Sequence, residues 1–516
     1  MSAELPGPND PYAVPDPIAG AALTRPGHPA LELGEESLTW AEYDRRVGEL
    51  AGALRESGVV VGDRVAVGGA RSLERVVAQA AVERAGAVLC PLPARGSAAG
   101  GEELGRTLAA LAPRWLLNGP GARCDEAMSS APEGLQELDP AALRDRSAEP
   151  IRDRFRSLAT VCRRLLSSGT TGAPRPIELS FGQILYSAMG SALRLGHLPG
   201  DRWLHGLPLH HVGGLSILDR AALGVTTVRL HERFEAERFA SELTSGDIAL
   251  VSLVPTMLRD LLDALGNAPD VEPGGAPIPP ALRVVLVGGA ACPPELAERA
   301  RRRGLPVALT WGMSETASQV ATGLPGVDTV PGAAARDGVG PALAFARVDV
   351  QDARLRVDGP IAAGSVLSGD LGALRGGRVC VSGRADATII SGGENVSPLE
   401  IENRLRLWPG VRDVCVVGLP DDRWGERPVA LVEAEPGFDE ARARDFCREA
   451  LAGYKVPDRI VPIAAIPRTA IGKLARAEAR RLAVERLGGS EQDQGPARMR
   501  RQEIGTPPVS TREEQA

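Results

Sequence analysis

At 516 residues and 54.0 kDa the chain exceeds what one hydrophobic core serves, so two or more domains are expected. A composition of 43% hydrophobic and 24% charged residues is that of an ordinary globular protein, and the formal net charge of -7 lacks the basic footprint of a nucleic-acid binder. No apolar run of 18 residues and no charged-then-apolar leader follows Met1, which predicts neither a membrane span nor an export signal. The seven cysteines lie singly, without CxxC pairs or zinc-type histidine spacing, and read as reduced, buried thiols of a cytoplasmic protein.

Residues 1–20 are rich in Pro, Gly and Asp and are expected to be disordered. Helical and strand patterns then alternate in the manner of an α/β protein. Residues 38–58 place Trp40, Tyr43, Val47, Leu50 and Leu54 on one helical face, and RVAVGG follows as a strand. ERVVAQAAVERAG gives a second helix and AVLCPLP a second strand, a βαβ pattern. RVVLVGGA (283–290) is a buried strand ending in glycines, and PPELAERARRRG a helix opened by prolines. Residues 340–382 turn into short, glycine-rich alternating pieces, predicting a small β subdomain. From Arg384 the pattern restarts as helix, strand, strand, helix and strand, so a boundary is placed at Ala385 and Asp386. The predicted units are a domain over 21–385, a smaller one over 386–487, and a disordered tail over 488–516.

Of 59 basic side chains only Lys455 and Lys473 are lysines. A chain that has otherwise turned to guanidinium keeps an ammonium where a compact point charge is needed, as between two anionic oxygens. Lys473 closes the segment PRTAIGK. Other segments also carry chemistry. LLSSGTTGAPRPIELS (165–180) opens an apolar run into Ser167, Ser168, Gly169, Thr170, Thr171 and Gly172, a dense set of hydroxyls and accessible amides suited to cradling phosphate. PLHHVGGLSILDR (208–220) holds His210, His211 and Arg220. Glu315 in WGMSETAS could ligate a hard cation, Trp311 could offer an aromatic face, and Asp370 with Arg384 could bind vicinal hydroxyls or phosphate. Alone, these four read as a surface carboxylate, a core aromatic, a turn residue and a surface charge.

Together, in this order, the segments resemble the adenylate-forming superfamily of acyl-CoA synthetases, adenylation domains and beetle luciferases. SSGTTGAPRP resembles its phosphate loop, WGMSETAS its aromatic and glutamate segment, SGDLG its ribose segment, GRADATIISGGENVSPLEIE its hinge segment and PRTAIGK its terminal lysine segment. The resemblance spans nearly the whole chain. It implies a large N-terminal domain of doubly wound α/β subdomains with a small β subdomain, and a small mobile α+β C-terminal domain. ATP, Mg2+ and coenzyme A are the implied cofactors and co-substrates, with a small-molecule carboxylic acid as partner.

By the same resemblance, Lys473, Glu315 and His211 are expected in catalysis, with Glu315 on Mg2+. The phosphate loop, Arg175, Gly288, Gly289, Ala290, Trp311, Gly312, Thr316, Asp370 and Arg384 are expected on the nucleotide. Asp386 is the expected hinge, and Gly392 and Gly393 the expected lining of the coenzyme A tunnel. Two positions depart from the family pattern: Arg175 stands in the usual lysine place of the phosphate loop, with Pro176 after it, and Trp311 replaces a more usual tyrosine. HVGGLSI with Arg220, and GMSETASQV, further resemble o-succinylbenzoate-CoA ligases of menaquinone synthesis, which implies a dicarboxylate whose second carboxylate meets Arg220 and Ser318. Fatty or aromatic acids as substrates, a carrier protein as acceptor, and a homodimer stay open at this level.

Overall fold

The computed structural model describes residues 12–94, 101–118, 134–146, 148–151, 155–167, 175–266, 277–325, 338–469 and 472–487. Its N-terminal part holds two mainly parallel sheets. One orders its strands Ser318–Thr322, Val307–Met313, Val284–Val287, Leu250–Leu253, Arg202–His205, Thr227–Leu230, Pro29–Leu33 and Glu36–Thr39, with only the outermost pairs antiparallel. The other runs Arg175–Ser180, Val161–Ser167, Val88–Pro91, Arg64–Gly68, Trp115–Asn118 and Gln136–Leu138.

Strand period dictates how these sheets are covered. In Val284–Val287, Val284 and Leu286 join one core cluster while Val285 and Val287 join another, so both faces are buried, as a doubly wound parallel sheet requires. The first cluster is shared by both sheets, taking Val65 and Val67 of one and Val228 and Leu230 of the other. A buried ion network spans the same seam: Glu83 accepts from Arg163 at 2.5 Å and Arg156 at 2.9 Å, and Arg163 grips Asp219 at 2.6 and 2.7 Å.

The predicted first helix is present as Trp40–Glu56, started by a Thr39/Glu42 capping box, with Trp40, Tyr43, Val47 and Leu54 buried. Residues 12–20, expected to be disordered, are ordered. Ala13–Pro15 pairs antiparallel with Phe155–Ser157, and Asp16 caps the helix Pro17–Thr24. The carboxylate of Asp16 is buried against Arg84 at 3.2 Å, a tertiary partner that a polar, Pro-rich composition does not reveal. Residues 1–11 and 488–516 lie outside the described residues.

The glycine-rich stretch forms a five-stranded antiparallel sheet, from Gly340–Pro341 to Arg378–Arg384. A single 3-10 turn, Ala385–Ala387, leads from it into the C-terminal part. There the strands Val411–Asp421 and Gly425–Ala434 are joined by Ile389–Ser391, Glu394–Val396 and Arg459–Ile463. Val414 and Val416 face the cluster that includes Ile401 and Leu405, while Cys415 and Val417 face Ala479 and Ala483. Cys90, Cys162, Cys415 and Cys447 are buried free thiols; Cys292 and Cys380, expected to be buried, are partly exposed. No described helix is long and apolar enough to cross a membrane.

Candidate active site

The carboxyl ends of parallel strands define where a doubly wound sheet can bind a ligand, and the motif residues gather there. Val284–Val287 delivers Gly288, Gly289 and Ala290, and Arg202–His205 leads to His210 and His211. At Gly288 an added Cβ would lie 2.5 Å from Cγ2 of Thr310, so the absence of a side chain allows the neighbouring strand its close approach.

Val307–Met313 carries Trp311, whose ring is 7% exposed and belongs to the core cluster of Val320, Ala321 and Ile361. The expected open stacking face is therefore largely covered. Its indole Nε1 donates to Asp370 Oδ2 at 2.8 Å, so the departure from tyrosine supplies a donor in place of the lost hydroxyl. The other Asp370 oxygen accepts from Arg384 Nη1 at 3.2 Å, and Arg384 forks onto Asp386 at 2.9 and 2.8 Å. The strand register that sets Asp370 opposite Arg384 makes this possible. A line of contacts thus runs from the aromatic segment to the predicted hinge.

The turn after Trp311 is strained. Ala317 and Ser318 adopt φ of 51° and 108°, left-handed values costly for residues with a Cβ. Side chains outside the motif hold it: Gln183 Nε2 donates to the Glu315 carbonyl at 3.2 Å and Ser187 Oγ to the Ala317 carbonyl at 3.0 Å. Gly312 lies at the strand irregularity where Trp311 and Gly312 shift register. Thr316, expected on the nucleotide, is fully buried and donates its hydroxyl to the Met313 carbonyl at 3.1 Å. The Glu315 carboxylate remains partly exposed, with Arg175 at 3.5 Å. One accessible carboxylate suits Mg2+, which takes most of its ligands from phosphate and water rather than from a protein cage. Among the described residues no three His, Cys, Asp or Glu side chains form a cage.

On the far side of the strained turn, Ser318 Oγ accepts from Arg220 Nη2 at 3.1 Å and from Ser216 Oγ at 3.4 Å. Arg220 is 2% exposed, and its Nε has no hydrogen-bond partner among the described residues. Burial pulls its pKa down to about 10. Its neighbour Asp219 is occupied by Arg163. The two residues expected to share a carboxylate are thus in contact.

His211 sits at the N-terminus of the helix Val212–Gly224, its ring 4.0 Å from that of His210. Burial and then the charge of Lys473 hold His211 down at about 4. Lys473 is itself lowered by burial and by Arg384, while Asp370 and Glu315 act in the opposite sense. The ammonium therefore lies within electrostatic reach of His211, Glu315, Asp370 and Arg384. Lys455 instead makes an ion pair with Glu400 at 2.8 Å.

Ser167 donates to the Arg175 carbonyl at 3.3 Å across the mouth of the phosphate segment; Ser168, Gly169, Thr170, Thr171 and Gly172 lie outside the described residues. Gly392 and Gly393 form the turn between Ile389–Ser391 and Glu394–Val396, with Gly392 beneath the Trp424 ring. Gln183 and Ser187, which brace the turn, escaped sequence reading; only the Ser180-x-x-Gln183 cap could have drawn attention to that helix.

Burial also lowers His197 to about 3, His210 to about 2 and His205 well below 6.5. These groups and His211 stay neutral when folded but protonate near 6.5 when released, so unfolding takes up protons. Their stabilising contribution is present above pH 6.5 and is lost as pH falls from there, through about 4 for His211, about 3 for His197 and about 2 for His210. The melting temperature should fall between pH 7 and 4.5, with proton uptake on unfolding at pH 5.5, measured by calorimetry in buffers of different ionisation enthalpy.

Lys473, Glu315, Asp370 and Arg384 thus share one electrostatic neighbourhood, a gathering of charged groups of the kind an enzyme site requires. The AMP-binding enzyme family matches residues 19–376, and the AMP-binding enzyme C-terminal domain matches residues 400–473; the chain belongs to this family. Among its relatives, the 2-succinylbenzoate–CoA ligase of Bacillus cereus is 31% identical over 501 residues, 92% of this chain and 99% of that protein. The 2-succinylbenzoate–CoA ligase of Geobacillus kaustophilus is 32% identical, over 91% and 98%. The o-succinylbenzoate CoA synthetase of Bacillus subtilis in complex with the acyl-adenylate intermediate superposes with a TM-score of 0.80 at 28% identity, over 91% and 98%. Its complex with ATP and magnesium ion gives 0.79, over 90% and 99%.

Proposed function

We propose that this chain is an ATP-dependent carboxylate–CoA ligase that converts o-succinylbenzoate to its coenzyme A thioester, in the cytoplasm where ATP and coenzyme A are held. The observation that carries this reading is the buried Arg220 on Ser318, a guanidinium with no carboxylate of its own beside a site that gathers Lys473, Glu315 and Asp370. A dicarboxylate supplies the missing anion with one end and the reacting group with the other.

In the first half-reaction a carboxylate oxygen bonds to the α-phosphorus of ATP, and the bond to the pyrophosphate oxygen breaks. Two anions must approach, and an ammonium touching both offsets their repulsion as charge grows in the transition state. Lys473 has that role. Glu315 is the residue that would hold Mg2+, which when bound neutralises phosphate charge; Arg175 faces the leaving pyrophosphate. Asp370 accepts the ribose hydroxyls, kept in orientation by Trp311 and Arg384. In the second half-reaction the coenzyme A thiol gives up its proton to solvent, its sulfur bonds to the acyl carbon and AMP leaves with the bonding electrons. His211, neutral at working pH, lines the entry to the acyl carbon. Asp386 is the hinge about which the C-terminal domain turns, and the turn of Gly392 and Gly393 then borders the thiol path.

The test is a panel of carboxylic acids with ATP, Mg2+ and coenzyme A, read as AMP release and acyl-CoA mass. o-Succinylbenzoate should exceed fatty and simple aromatic acids; AMP release with none of them would overturn the assignment.

Trp311→Phe keeps the ring and removes the donor to Asp370. A hydrogen bond to a charged group contributes about 1.5–3 kcal/mol, so the KM for ATP should rise roughly tenfold to a hundredfold, with a smaller change in kcat. Steady-state kinetics at varied ATP measure it, and an unchanged KM would mean that Arg384 alone orients the carboxylate.

A further inference from the structure

One helix of the N-terminal domain, Pro255–Ala264, receives the loop that carries Lys473. Thr256 and Arg259, three residues apart, lie on one face of it. Gly472, at φ +75°, fits against this face: an added Cβ would lie 2.6 Å from Thr256 Oγ1. Arg259 Nη1 stands 3.6 Å from Oδ2 of Asp413, a C-terminal-domain carboxylate that is almost wholly buried. The same Oδ2 pairs with Arg468, and Arg468 Nη1 donates to the Gly472 carbonyl at 2.5 Å. Arg406 completes the set, 3.5 Å from Oδ1. Asp413 is therefore a hub, joining an N-terminal helix on one side to the residue before Lys473 on the other.

We propose that Arg259 is a positioning residue for the first half-reaction alone: through Asp413 and Arg468 it seats the Lys473 loop on the N-terminal domain. This rests on the acyl-adenylation reading above. Within the C-terminal domain Asp413 keeps Arg406 and Arg468 whether or not Arg259 is present, so the contact with Arg259 is the one that domain rotation breaks. Arg259 is also partly exposed at its outer edge, which makes it replaceable without opening a core.

The experiment compares the full-length enzyme with Arg259→Leu, Arg259→Gln and Arg259→Lys in two separate assays. These are o-succinylbenzoate-dependent ATP–pyrophosphate exchange, and coenzyme A transfer from supplied o-succinylbenzoyl-AMP. Misplacing a reacting group by a fraction of its bond reach is costly, so the Leu and Gln variants should lose roughly tenfold or more in the kcat of exchange. Their KM for ATP and acid should hold, the transfer rate should be unchanged or faster, and Lys should restore part of the exchange. Parallel loss in both assays, or full exchange in both neutral variants, overturns the proposal; the Gln variant serves if Leu fails to fold. Absence of exchange in the unaltered enzyme overturns the acyl-adenylation reading and this inference with it, an outcome distinct because no variant then has an activity to lose.

Discussion

Lys473→Arg is expected to lower acyl-AMP formation by about a hundredfold or more, the scale of losing a donor aimed at transition-state charge. Coenzyme A transfer from supplied acyl-AMP should be largely unchanged. The charge is conserved in this variant, so the effect isolates shape. Lys473 is half-buried at a point where Arg384 already repels it and Glu315 and Asp370 attract it. A compact ammonium can share two oxygens there, while a planar fork is larger, points its donors in fixed directions and competes with the guanidinium of Arg384. The backbone cannot easily retreat, because Gly472 is seated on Thr256 and tied by Arg468. Pyrophosphate exchange and single-turnover thioester formation measure the halves separately. Equal loss in both would show that the lysine acts in the thiol step as well.

Arg220→Leu is expected to reduce kcat/KM for o-succinylbenzoate by about thirtyfold to a few thousandfold, since removing one partner of a buried charge contact costs roughly 2–5 kcal/mol. The KM for ATP should not move. The same change should leave the melting temperature level or raise it. In the free enzyme Arg220 is a buried cation whose Nε is unpaired, whose hydroxyl partner is Ser318 and which is only partly offset by Asp219 and the Trp203 ring, and replacing such a poorly compensated buried charge with an apolar side chain is neutral or stabilising. Activity and stability are thus expected to move in opposite directions, which a structural salt-bridge role does not allow. A melting temperature several degrees lower, with activity on o-succinylbenzoate retained, would remove the dicarboxylate reading. Kinetics and calorimetry on the same preparations decide between them.

Much of the scaffold was legible because it depends on short-range periodicity. The alternation of Val284 to Val287 between two cores, and of Val414 to Val417 in the smaller domain, follows from residue type and strand period alone. The helix of Trp40, Tyr43 and Val47 likewise follows from spacing and its Thr39 cap. The chemistry-bearing segments were legible as strings, and the resemblance carried them to a family. Their contacts were less so. Trp311 also donates to Asp370, and Thr316 to the carbonyl of its own turn, contacts that the strings do not show. The first 20 residues read as disordered because their composition is polar, while Asp16 finds Arg84, 68 positions away.

By itself, then, the chain's order of residues determined the class of fold, the order of the motifs and the candidate lysine at the end of PRTAIGK, since each is a property of a few neighbouring residues. Only the tertiary structure decided what those residues touch. Arg220 meets Ser318 across 98 positions, Asp370 meets Trp311 across 59, and Arg259 of one domain meets Asp413 of the other. Such pairings depend on which strands lie side by side and how two domains dock, and no local pattern encodes a distance between residues whose separation is settled by the packing of everything in between.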